Sequence, residues 1–573
     1  MLIDARTLPT GETIETEVCI IGTGPSGLAL AHELMEQQFR VCILESGGLE
    51  KPTPENVALA EVETEGDFVQ VVPDRRNRCF GGNSRYWAIN INPQQQGLRL
   101  CPLDEVDFEK RDWLPHSGWP FDRNHLLPFY ERAQKVFQAG PFAYQGEDWA
   151  DQESPLLPLG DQLTTKMFQF GPGKAFYQEY RDQISRASNI TTYLHANAME
   201  LETDETAQTV TRVRVGCLDG NQFWVSARIV ILAAGGVEST HLLLLSNRVQ
   251  QAGLGNEYDQ VGRYFMDHPL VPGGLIIPSD PNLFNRTALY DLRHVRGVPV
   301  MAGIGLTNEA IRREQVLNMA TWIFPRAKRF RPSKAMTSLK ELLSPRTWKQ
   351  GWQHPAQHLG NVVTGMDEVV ASAYDKLSRK QQPFWSNLST GGWSDLQDNK
   401  EKVYGVFEVL HMTEQAPDPD NRIVLGNDLD QLGRRKARMQ TRWRDVDLEG
   451  IKRSQEILAR EIARAGLGYY QIERNGEIPL LDSAGASHHM GTTRMHVDPK
   501  QGVVDQHCRV HSTSNLYIAS SSVFPTGGYA NPTLTIVALS LRLADRVKQL
   551  MADSGALPDR TAAWVTTRDR VMS

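Results

Sequence analysis

Long apolar runs are missing from this 573-residue chain. None approaches the roughly 20 residues that a membrane-spanning helix needs. The opening stretch, MLIDARTLPTGETIETEVCIIG, has no basic region followed by an apolar one, so no secretory leader is expected and the chain reads as cytoplasmic. A basic surplus is missing too. With 61 Lys and Arg against 68 Asp and Glu, the net charge is −7, which argues against a nucleic-acid partner. Cysteine is scarce: six residues and no CxxC spacing, so no metal site is expected. Cys19 and Cys42 fall in apolar strand-like runs, where a reduced thiol serves as a small hydrophobe. No internal repeat occurs, which excludes solenoids and propellers. What remains is an ordinary globular composition, 40% hydrophobic and 23% charged, on a chain long enough for two domains.

The first chemical signal is EVCIIGTGPSGLALAHELMEQQFRVCILESGG, from Glu17 to Gly48. It reads as strand, turn, helix, strand and acid, in that order. Gly22 permits the tight turn, Gly24 lets the backbone approach a pyrophosphate, and Gly27 lets the helix pack closely on the strand. The helix N-terminus then faces the phosphates. Glu45, 18 residues after Gly27, is placed to bind ribose hydroxyls. FAD and NAD both fit this motif.

Three further blocks follow. RNRCFGGNSRYWAININP (76–93) places Gly81, Gly82, Asn83 and Ser84 in a loop suited to close approach by a flat ligand. VILAAGGVESTHLLLLS (230–246) reads as a strand, a Gly turn and an apolar helix. NLYIASSSVFPTGGYANPTLTIVALSLRLADRV (515–547) reads as a strand, a loop and a helix beginning near Pro532. With ASHHMGTTRM (486–495) and a weaker block, VGRYFMDHP (261–269), the chain resembles glucose-methanol-choline (GMC) type flavin oxidoreductases. The likeness is strongest to the branch of pyranose oxidases and sugar or polyol dehydrogenases. SGWPFDRNHLLPFYERAQ (117–134) also suits that branch.

That resemblance implies a discontinuous Rossmann-like FAD-binding domain of α/β type (1–110, 190–270 and 481–573). An α+β substrate domain on an antiparallel sheet would hold 111–189 and 271–480, with a basic insertion or lid near 325–400. It implies cofactor contacts from Gly22, Gly24, Ser26, Gly27, Glu45 and Ser46. Further contacts would come from Gly81, Gly82, Asn83, Ser84 and Trp87, and from Ala198, Ala234, Ser520, Asn531 and Thr533. Tyr86 stands where pyranose oxidases commonly carry a flavin-linked histidine, so FAD is expected to be non-covalent. Ser520 replaces a common Asp, His496 replaces a common Gly, and the helix of the third block lacks a usual Pro.

The same resemblance places the catalytic histidine three residues before Gly491, at His488, and its partner at Asn531, directly before Pro532. The chemistry accounts for these types. Oxidising an alcohol removes a hydroxyl proton and a hydride; imidazole can take the proton near neutral pH, and an amide can hold the developing alkoxide. The flavin takes the hydride. His489 is expected as a substrate contact, a supporting donor or a wall of the flavin site. Pro532 at the helix start also allows Asn531 a plain capping role.

Residues 270–480 carry no nucleotide motif. GVFEVLHMTEQAPDPDNRIVLG (405–426) reads as strand, turn and strand, making Glu414 and Gln415 candidate hydroxyl binders or rim residues paired with Arg422. DLEGIKRSQEILAREIARAGLG is an amphipathic helix with Ile451, Ile457, Leu458 and Ile462 inward and a stop at Gly466. The basic, aromatic stretch 325–354 reads as a solvated insertion or lid, or as a surface for a membrane or an electron-accepting partner. The expected activity is FAD-dependent oxidation of a sugar, polyol or glycoside alcohol, with oxygen, a quinone or a redox partner accepting the electrons. A lyase of the same fold and a non-catalytic flavin carrier are the alternatives.

Overall fold

The computed structural model describes residues 1–67, 76–87, 89–92, 95–327, 334–343, 355–366, 392–395, 400–481 and 486–554. Short apolar runs that are buried on both faces build its first sheet. Strands Leu2–Asp4, Ile190–Leu194, Val41–Leu44, Thr13–Ile21 and Gln222–Leu232 lie side by side in that order, all parallel. Leu516–Ile518 adds in parallel to the C-terminal end of Gln222–Leu232. The N-terminal part of that long strand instead pairs antiparallel with Val210–Gly216, which pairs with Asn197–Thr203. Val18–Ile21 and Val41–Leu44 are buried throughout, as a parallel sheet covered on both faces requires. Cys19 and Cys42 sit opposite each other in this sheet as buried free thiols. Helix Pro25–Glu33 and the C-terminal helix Thr533–Ser554 pack together on the sheet.

The second sheet has nine strands, and every pairing in it is antiparallel. Its side chains alternate between two cores, as the strand period of two dictates. Phe168, Met301, Trp322 and Phe324 face the core that continues into the first sheet. Met167, Val300, Ala302 and Ile323 face a separate core beneath helix Asp445–Arg464. That helix buries Ile451, Ile457, Leu458 and Ile462 as the periodicity predicts, and Gly466 follows it at φ +68°.

Pairing departs from the expected boundaries in two places. Ile89–Asn92 and Gln95–Leu100, expected in the nucleotide-binding part, join the second sheet. Arg422–Leu429 and Arg435–Thr441, expected in the substrate part, form a three-stranded sheet with Val62–Gly66. The strands either side of the 414–421 turn therefore belong to different sheets. The basic stretch 325–354 lies largely outside the described residues; its helix Lys334–Leu343 packs on Pro355–Thr364. No helix among the described residues is long and apolar enough to cross a membrane.

Candidate active site

A cleft with a cavity volume of about 210 Å³ runs along the C-terminal ends of the parallel strands. At one end is the first glycine turn. Gly22 has φ +109°, and a Cβ there would lie 2.6 Å from the Ala233 carbonyl oxygen, so only glycine fits. A Cβ on Gly27 would lie 2.0 Å from the Gly22 oxygen, so this glycine sets helix-to-strand packing and does not face the cleft. Glu45 does line the cleft, and its carboxylate also ties the turn. It accepts from the Thr23 backbone N–H (3.2 Å), the Thr23 hydroxyl and the Gly47 N–H (2.8 Å).

The Gly-Gly loop lies against this turn. Gly81 N donates to Thr23 O at 3.1 Å, and a Cβ on Gly82 would come within 3.2 Å of the Gly24 Cα. Gly24, Ser26, Ser46, Gly82, Asn83, Trp87, Ala198, Ala234, Ser520 and Thr533 all face the cleft. Gly81 and Ser84 do not: the buried Ser84 hydroxyl donates to Gly81 O at 2.7 Å and closes the loop from behind. Arg76, Arg78 and Arg434 also line the cleft and were not anticipated. Arg76 pairs with Glu238 at 2.6 Å and Arg434 with Asp430 at 2.8 Å. Burial and the Arg78 charge lower the pKa of both. Arg78 Nε is buried without a hydrogen bond.

The other end of the cleft holds His488 and His489. Thr492 donates to Gly236 O at 2.6 Å and Thr493 to the Ser522 hydroxyl at 2.6 Å, so the GTT segment is fastened to the first turn of helix Gly235–Leu245 and to the short 3-10 helix Ser521–Val523. Asn531 Nδ2 reaches His488 Nε2 at 3.2 Å across 43 residues of chain. On the other side of the ring, His268 Nδ1 lies 2.8 Å from His488 Nδ1. Neither His268 nor Asp267 was singled out from the sequence, although both stand in the VGRYFMDHP block. Asp267 accepts backbone N–H groups from His268 (2.7 Å), Ser487 (3.0 Å) and His488 (2.7 Å). Burial, then the charges of His268, His489 and Arg99, hold the His488 pKa well below the ordinary imidazole value, so the ring is neutral at pH 7.

Three expectations need correction. Glu414 is fully buried in a two-pronged pair with Arg111 (2.8 and 2.5 Å) and accepts from Asn318 N, so it does not bind substrate. Arg422 pairs with Asp259 instead. Gln415 accepts from Asp267 N at 2.9 Å and thereby braces the histidine clamp from behind. Asn531 does not cap the last helix: Ile536 N donates to Pro532 O, and the Asn531 side chain is turned to His488. His489 forms cleft wall, its ring 5.6 Å from that of Phe265 and its carbonyl accepting from Ser521.

A family model described as GMC oxidoreductase matches residues 417–540, and one described as FAD binding domain matches 15–111. The 6'''-hydroxyparomomycin C oxidase of Streptomyces lividus is 34% identical over 94% of this chain and 93% of its own length. The chain is a GMC oxidoreductase. The fructose dehydrogenase large subunit of Gluconobacter japonicus is 28% identical over 94% of this chain and 98% of its own. A crystal structure of formate oxidase has the same fold, with TM-score 0.51 and 17% identity over 95% of this chain and 100% of its own.

The cofactor of this GMC oxidoreductase is FAD, and the cleft suits it. The glycine turn and the N-terminus of helix Pro25–Glu33 suit a diphosphate, and three arginines line the same cleft. Glu45 retains lone pairs for ribose hydroxyls. Asn531 Oδ1 is buried and unpartnered beside His488.

Proposed function

We propose that this enzyme oxidises a primary or secondary alcohol of a sugar, polyol or glycoside to a carbonyl, with His488 as the base. The observation that carries the reading is His488 itself: a neutral imidazole on the cleft, held from both ring nitrogens, with an amide at the nitrogen facing away from His268. Full-length relatives named for a hydroxyparomomycin and for fructose support the substrate class.

FAD, when bound, supplies the two-electron acceptor for the hydride. The chain does the rest. His488 Nε2 takes the hydroxyl proton, and the Asn531 amide holds the oxygen as negative charge develops. Asp267, through three backbone hydrogen bonds, keeps the His488 loop from drifting. The first sheet and the 76–87 loop, which supply most of the cleft lining, hold the cofactor. A non-covalent FAD is supported by the 76–87 loop, whose cleft residues are Arg76, Asn77, Arg78, Gly82, Asn83 and Trp87, with no His or Cys among them.

The test is an anaerobic absorption spectrum before and after a panel of sugars, polyols and glycosides. One class should bleach the oxidised-flavin band. His488→Ala should keep FAD and slow that bleaching by roughly 10²–10⁴-fold. Reoxidation by oxygen, a quinone or a protein acceptor then identifies the partner. A flavin that no alcohol bleaches would sink the reading and move weight to a lyase or a non-catalytic role.

A further inference from the structure

The contact between His268 and His488 joins two nitrogens of the same kind, Nδ1 to Nδ1, at 2.8 Å. Two neutral imidazoles can meet at that distance only with one hydrogen between them. Two lone pairs would repel, and two N–H groups would collide. One ring must therefore donate and the other accept.

The outer ends of the pair say which. At the His488 end, Nε2 faces the Asn531 Nδ2 donor, which needs a lone pair on Nε2 and so leaves the hydrogen on His488 Nδ1. At the His268 end, Nε2 makes no regular hydrogen bond and faces the Gly527–Gly528 backbone. That backbone favours the protonated ring, opposing the effect of burial. A hydrogen on His268 Nε2 leaves its Nδ1 as an acceptor. Both ends give the same order: Asn531 donates to His488, His488 donates to His268, and His268 turns its own N–H to the backbone. His268 is 0% exposed, so water cannot substitute for it.

We propose that His268 is a positioning residue that fixes His488 in the Nδ1–H tautomer, aiming the Nε2 lone pair at the substrate, and that shares the proton His488 gains. This rests on His488 being the base. The step balances as a proton shift alone: the Asn531 N–H passes from Nε2 to the substrate oxygen and frees the lone pair, the substrate O–H bond breaks, an Nε2–H bond forms on His488, and the Nδ1 hydrogen moves toward His268 Nδ1. Both electrons leave separately with the hydride. A base in the wrong tautomer presents N–H to the hydroxyl and cannot accept from it.

Histidine-selective ¹⁵N NMR of the FAD-loaded enzyme, with His488 assigned by a His488→Gln variant, reads the tautomer directly. The expected wild-type result is Nδ1–H on His488; Nε2–H would overturn the proposal. His268→Phe should move His488 toward Nε2–H, retain FAD and slow flavin reduction by roughly 10²-fold or more with KM little changed. His268→Asn puts an acceptor oxygen near the former Nδ1, and should restore Nδ1–H and bring reduction to within about tenfold of wild type. Unchanged tautomer and rate in His268→Phe, or no recovery in His268→Asn, would refute it. If His268→Phe does not fold, the wild-type spectrum and His268→Asn still decide. If no alcohol reduces the wild-type flavin, the proposed reaction fails while the tautomer result stands separately.

Discussion

Both ring nitrogens of His488 are engaged, and each contact constrains what the residue can do. Its lowered pKa follows first from burial and then from the charges of His268, His489 and Arg99. A general base works only when deprotonated, so the rate should be lost on acidification through this depressed value. The acid limb of flavin reduction against pH is therefore expected below 6.5, the ordinary imidazole value. A limb at or above that value in rapid-mixing traces would contradict the assignment. Asp267 offers a second residue-level outcome. It accepts three backbone N–H groups, two of them through Oδ1. Asp267→Ala would leave those groups without an acceptor at a cost of about 1–3 kcal/mol each. Asp267→Asn keeps the Oδ1-type acceptor and should lose much less in a denaturant titration.

At the level of elements, the glycine turn and helix Pro25–Glu33 act as one unit because Gly27 permits close packing. Gly27→Ala would drive a methyl into the Gly22 carbonyl, pushing the helix off its strand and the turn out of shape. FAD content after purification should fall on the order of tenfold, the equivalent of ~1.4 kcal/mol, while secondary structure persists by circular dichroism. Beneath Gly528, Asp107 in the short helix Glu105–Phe108 accepts from Asp104 N and from Asn318. Burial first, then the Asp104 and Glu414 carboxylates, push its pKa up to about 8. A carboxyl whose folded pKa exceeds its unfolded value contributes stability below the unfolded pKa and loses it as pH rises through the folded one. Thermal stability should therefore decline as pH rises from about 4 to about 8, and Asp107→Asn should flatten that decline. An equally steep decline in the variant would assign it to other groups.

Over the whole molecule, the Arg111–Glu414 pair joins segments 303 residues apart, beside the strand Met319–Ala327. Neither side chain is more than 3% exposed. Removing one partner of a buried pair typically costs 3–5 kcal/mol because the other charge stays buried. Glu414→Ala should lower stability by roughly that amount, with bound FAD retained in the fraction that folds. A substrate ligand would instead raise KM and leave the melting temperature unchanged, so calorimetry and kinetics together separate the two roles.

The glycine turn, Glu45 and the Gly-Gly loop were legible in the chain because local backbone needs leave local residue patterns, whereas the His488–Asn531 pairing came from the family resemblance. A G-x-G-x-x-G turn before a helix has few other uses, and helix Asp445–Arg464 writes its period into Ile451, Ile457, Leu458 and Ile462. The roles of Glu414, Gln415, Asp267 and His268 were not legible, since each is defined by a partner far along the chain. Glu414 has the same side chain whether it binds a sugar or pairs with Arg111. Only the tertiary fold that places Arg111 against it decides which, since burying an unpaired carboxylate costs too much to tolerate. Sequence by itself determined the cofactor fold and nominated His488 and Asn531 as a pair. Tertiary structure alone decided what stands behind that base, because a contact between His268 and His488 exists only after 220 residues of intervening chain have closed on themselves.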